Sequence, residues 1–88
     1  MEPILDGLAD ARLDLRRTPC PINFVRSKLR LEHMEPNQLL EIWLDAGEPI
    51  EQVPDSLIMA GYGVEGVHNL GEFYALFVRK PMHDVVSV

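Results

Sequence analysis

Leu13-Asp14-Leu15-Arg16-Arg17-Thr18-Pro19-Cys20-Pro21-Ile22 joins two different periodicities. On its N-terminal side, Ala11, Leu13 and Leu15 alternate with Arg12 and Asp14, the period of two that marks a half-buried strand. On its C-terminal side, from Pro21 to about Glu32, Ile22, Val25 and Leu29 recur at helical spacing. Phe24 and Leu31 widen that apolar side, which is expected to face the core, and Asn23, Arg26, Ser27 and Arg30 lie opposite. Thr18-Pro19-Cys20-Pro21 breaks the strand. Pro21 suits the first helical position, where a missing N–H removes no intrahelical bond, so Cys20 is expected at the N-cap.

Outward from this junction the pattern continues. Glu35-Pro36-Asn37-Gln38 has turn composition, and Leu39 to Leu44 is apolar enough for a central strand. Ile50, Val53, Leu57 and Ala60 return to helical spacing, with Gly61 placed to close the helix and Pro54 suggesting that its regular part begins there. Tyr62 to His68 and Glu72 to Arg79 read as strands joined at Asn69-Leu70-Gly71. The order βαβαββ predicts an α/β two-layer sandwich, a four-stranded mixed sheet with two helices packed on one face and the other face partly open. The domain is expected over residues 11–80, with an N-terminal extension over 1–10 and a loose tail over 81–88.

With 88 residues there is room for one core and little room for a large internal pocket. Apolar residues form 47% and charged residues 25% of the chain, an ordinary globular balance. The net charge of −6 argues against extensive nucleic-acid binding. That average conceals an asymmetry: Arg12, Arg16, Arg17, Arg26, Lys28 and Arg30 are opposed between positions 12 and 30 only by Asp14. The single cysteine excludes an internal disulfide. Glu2, Asp6 and Asp10 do not fit a signal peptide, and no apolar run is long enough to span a bilayer, so a cytoplasmic protein is expected.

A thiol acts as a nucleophile through its thiolate, and a helix N-terminus with nearby cations favours that form. Cys20, after Arg16 and Arg17 and before Arg26, fits this description. The alternative is a small buried apolar residue, a common fate of free cysteine.

Leu13-Asp14-Leu15-Arg16, Cys20-Pro21, Met34-Glu35-Pro36, the strand ending in Asp45, and Val53-Pro54 resemble the TusA/SirA-like sulfur carrier proteins. In that family the pattern runs Asp-x-Arg-Gly-x-x-Cys-Pro-x-Pro, a helix, a Gly-containing turn, a strand ending in Asp-Asp-Pro, and a segment containing Ile-Pro. The similarity runs from Leu13 to the closing Val78-Arg79-Lys80, and the family fold is a two-layer α/β sandwich. The resemblance implies that Cys20 accepts a sulfane sulfur as a persulfide and relays it to a partner protein. The donor would be a cysteine desulfurase or a rhodanese-like protein, no cofactor would be needed, and the chain would act as a stoichiometric carrier rather than an independent turnover enzyme. Pro21 belongs to the motif, and Arg16, Arg17 and Arg26 would form the partner-binding surface. The chain departs from the pattern at Asn23 (second Pro), Arg17 (Gly) and Ala46-Gly47 (Asp-Pro).

Asp45 could hold the loop at the active end of the sheet or serve as a turn or helix-capping residue, the commoner role after a strand. His33, His68 and His83 lack the spacing of a metal site, and Trp43 reads as core. Two other functions fit the sequence: an interaction or regulatory module that kept the fold without the chemistry, and RNA binding through segment 12–30, which the acidic remainder opposes.

Overall fold

The computed structural model describes residues 9–81; most of the expected extension and tail, with His83, lies outside them. Within the described residues the elements are β1 (Ala11–Asp14), α1 (Ile22–Glu32), β2 (Leu39–Leu44), α2 (Glu48–Met59), β3 (Gly63–Asn69) and β4 (Tyr74–Arg79). The strands lie in the order β1-β2-β4-β3. β1 and β2 are parallel, and β4 runs antiparallel to both β2 and β3, so the sheet is mixed. The first ladder reaches back to Asp10, whose N–H donates to the Leu39 carbonyl and whose carboxylate accepts the Leu39 N–H, both at 2.8 Å.

β2 is central and covered on both faces, and is apolar except for Glu41, which is buried and paired with Arg12. Leu40, Ile42 and Leu44 point to the helices and join Leu31, Val53, Leu57, Leu76 and Val78 in the main core. The alternate positions belong to the other face, where Leu39 packs with Ala75 and Phe77, and Trp43 and Leu70 lie against them. Both helices therefore cover one face, and the opposite face carries a smaller apolar cluster that, among the described residues, no helix covers.

α2 begins at Glu48, six residues ahead of Pro54. Pro49 sits in the first turn, where no N–H is required, and Glu48 and Glu51 complement the positive end of the helix. Pro54 is accommodated inside the helix. Its end is as expected: Gly61, at φ 100°, donates to the Ile58 carbonyl, and the next N–H, of Tyr62, donates to Leu57.

α1 is rotated relative to the expectation. Asn23, Ser27 and Leu31 face the core, each fully buried, while Ile22, Val25 and Leu29 are 46–50% exposed. The phase is held by Leu31 and Phe24, with Met34 just beyond the helix. The two polar residues bury without penalty because their groups are paired locally: Ser27 Oγ donates to the Asn23 carbonyl at 2.8 Å, and the Asn23 side chain binds the preceding loop. The other end of α1 is closed by Lys80, which is only 7% exposed and donates from Nζ to the carbonyls of Glu32 at 3.2 Å and Met34 at 2.8 Å.

Candidate functional site

The site is built where β1 ends. Leu15 prolongs the strand by donating to the Trp43 carbonyl at 3.0 Å, and a turn then closes from Leu15 to Thr18, the Thr18 N–H meeting the Leu15 carbonyl at 3.2 Å. Arg17 occupies the third position of that turn with φ 65°, the left-handed conformation that favours glycine. This explains physically why the family pattern has glycine at this point. The Arg17 N–H donates to Asp45 Oδ2 at 2.7 Å, so the carboxylate at the end of β2 holds the loop that carries the cysteine. Asp45 thus takes the less common of its two expected roles; α2 is capped by Gly47 without a side-chain hydrogen bond.

Cys20 is exposed, which sets aside the reading as a buried apolar residue. It lies one residue before its expected place, because the N-cap of α1 is Pro21. The first-turn N–H groups of α1 are largely engaged elsewhere. Asn23 donates to the Pro19 carbonyl, Val25 to the Pro21 carbonyl, and Phe24 to the side-chain oxygen of Asn23. The group facing the sulfur is instead the Asn23 amide, with Nδ2 3.2 Å from Cys20 Sγ. Sequence reasoning missed this contact. The one available signal was an amide three residues after the cysteine, a separation that brings side chains together at the start of a helix.

The arginines are divided between surfaces. Arg16 grips Asp14 through Nε at 2.9 Å and Nη2 at 2.7 Å, and its guanidinium lies 4.9 Å from the Trp43 ring and 4.7 Å from that of Phe73. Arg12 pairs with the buried Glu41 at 3.5 Å and also stacks on Trp43. Both are therefore engaged around Trp43, on the face away from the helices. Arg16, Arg17 and Asp45 come together in a cleft of about 490 Å³ completed by Asp14, Glu72 and Phe73; Cys20 is not part of its lining. Arg26, expected on the side opposite Ile22, Val25 and Leu29, is instead exposed on the same arc of α1 as they are. The Arg16 contact holds the Asp14 carboxyl below its ordinary value, and Arg79 does the same to Glu65.

Among the described residues no group of three or more His, Cys, Asp or Glu side chains could hold a metal ion. The His33 ring meets the Leu29 carbonyl, and His68 stands edge-on to Phe77. No helix of the described residues is long and apolar enough to cross a membrane.

The chain is thus a two-layer βαβαββ sandwich with an exposed cysteine between its first strand and first helix. Two solved structures share this fold. A SirA-like protein from Desulfitobacterium hafniense superposes with a TM-score of 0.68 at 18% identity, covering 81% of this chain and 97% of that one. A Helicobacter pylori protein gives 0.61 at 20% identity, covering 80% and 96%. At the sequence level, residues 11–80 match the family described as Sulfurtransferase TusA. The "Putative sulfur carrier protein" of Archaeoglobus fulgidus is 34% identical over 73 residues, spanning 82% of this chain and 83% of that protein. A protein of the same name from Thermotoga maritima is 32% identical over 59 residues, 67% of this chain and 75% of its own. The chain belongs to the TusA sulfurtransferase family.

Proposed function

We propose that this protein is a sulfur carrier in which Cys20 accepts a sulfane sulfur as a persulfide and passes it to a partner protein. The observation that carries this reading is the exposed thiol of Cys20 at the strand-to-helix junction of a TusA-family fold, with a hydrogen-bond donor against its sulfur. In loading, the Cys20 thiolate attacks the terminal sulfur of a donor persulfide. The donor's S–S bond breaks, its own thiolate leaves, and Cys20–S–SH forms with no net oxidation. Donors of this chemistry are cysteine desulfurases and rhodanese-like proteins.

The partner docks on the outward arc of α1. Ile22, Val25 and Leu29 form an apolar stripe about half exposed among the described residues, and Arg26 adds positive charge beside it. An apolar centre with a basic neighbour suits a partner surface that is apolar with an acidic rim, and such complementarity speeds association at low salt.

The test is transfer of label from cysteine carrying labelled sulfur, in the presence of a cysteine desulfurase. The chain should acquire label that dithiothreitol releases, and Cys20→Ser should acquire none; equal labelling of both proteins would overturn the reading. Replacing Val25 and Leu29 together by serine should slow loading by the desulfurase and leave loading by inorganic polysulfide unchanged. Unchanged desulfurase loading would remove α1 as the docking surface.

A further inference from the structure

We propose that Asn23 is a catalytic residue of this carrier, its amide stabilising the negative charge that develops on Cys20 Sγ when the persulfide is discharged; the proposal rests on the carrier reading of Cys20. Asn23 is fully buried, in a helix position that an apolar side chain would ordinarily fill. A buried carboxamide is tolerated when its donors and acceptor are satisfied, and here each is. Oδ1 accepts the Phe24 N–H at 2.7 Å. That contact fixes which end of the carboxamide faces the loop, since the same position could not serve an NH₂ group. The two hydrogens on Nδ2 are then directed at the Thr18 carbonyl, 3.4 Å away, and at Cys20 Sγ, 3.2 Å away. The proline found here in the family pattern has no such donor.

The chemistry gives the contact a direction. In discharge, an acceptor thiolate attacks the outer sulfur of Cys20–Sγ–SH. A bond forms between the acceptor and that sulfur, the bond from Sγ breaks, and its electron pair remains on Sγ. One persulfide replaces another, so no oxidant or reductant is consumed. Sγ is the leaving atom, and a donor held against it makes it a better leaving group. When Cys20 acts as the nucleophile, the same donor has two opposing effects: it raises the thiolate fraction and lowers the reactivity of each thiolate.

The experiment compares wild type with Asn23→Leu and with Asn23→Pro, which restores the family residue. Two rates are measured: alkylation of the free thiol by iodoacetamide across pH, and release of sulfur to cyanide from protein loaded with inorganic polysulfide. Loss of the donor should be seen in both rates. It should make alkylation about threefold slower at low pH and about threefold faster on the high-pH plateau, so that the two curves cross, and slow cyanolysis about threefold. Superimposable curves with equal cyanolysis would overturn the proposal, as would alkylation slowed at every pH by the same factor as cyanolysis with no crossing of the curves, which a merely displaced sulfur would give. A measurement on the wild type does not depend on how the variants fold. The NMR signals of the Asn23 side-chain amide should move as the thiol ionises, with the midpoint seen in alkylation, and signals that stay fixed would also overturn it. Neither rate uses a protein donor, so failure of desulfurase loading is distinguishable from failure here.

Discussion

The carboxylate of Asp45 accepts the backbone N–H of Arg17 at 2.7 Å, joining the ends of β1 and β2 beneath the loop that presents Cys20. Asp45→Ala removes the acceptor and should lower stability by about 1 kcal/mol, whereas Asp45→Asn, which keeps a carbonyl oxygen at the same place, should retain most of it. Denaturant midpoints of the three proteins check this, and equal midpoints would contradict it.

Arg17 holds a left-handed conformation with a side chain that disfavours it. Arg17→Gly should therefore stabilise the folded state, by about 0.5–1 kcal/mol after the added freedom of the unfolded chain is subtracted. The thermal midpoint should rise by several degrees. A fall would show that the arginine side chain stabilises the turn by more than the conformational strain.

Lys80 places a buried ammonium against the carbonyls of Glu32 and Met34, where α1 ends. Lys80→Met keeps most of the aliphatic volume and removes the donors, leaving carbonyls unsatisfied. Stability measured by chemical denaturation should fall by about 2–3 kcal/mol. A loss below about 0.5 kcal/mol, the usual range for surface changes, would contradict this.

The Asp14 and Glu65 carboxyls titrate below their ordinary values of 3.8 and 4.5, chiefly because Arg16 and Arg79 hydrogen-bond to their charged forms. A depressed carboxyl contributes stability that is present above its unfolded value and lost as pH falls through the folded one. Both pairs should therefore be insensitive to pH between about 5 and 9 and open only in stronger acid. Because Arg16 stacks on Trp43, tryptophan emission should show a step with a midpoint below 3.8, absent in Asp14→Asn. A step at or above that value would contradict the assignment.

The order of elements was legible because β1 and both helices carry their own periods, β2 is a mostly apolar run, turn residues separate β3 from β4, and Gly61 marked the end of α2. The facing of α1 was not. Ile22, Val25 and Leu29 have the spacing of a core stripe, yet Asn23 and Ser27 take the core side because their polar groups find partners within the first turns and the preceding loop. Periodicity counts apolar residues and does not register polar groups that are satisfied locally. The basic segment likewise looked continuous, but the sheet directs Arg12 and Arg16 toward Trp43 while Arg26 lies on α1. Cys20 was identifiable from its motif. Its amide neighbour was not, because the sequence shows Asn23 only as a departure from the family's second proline and does not show where its side chain points.

The central claim is that Cys20 carries sulfur, and intact mass spectrometry after incubation with a cysteine desulfurase and cysteine tests it most directly. The wild type should gain the mass of one sulfur atom, lose it on treatment with dithiothreitol, and show no gain when Cys20 is replaced by serine. An unchanged wild-type mass, under conditions that load an established carrier, would contradict the account.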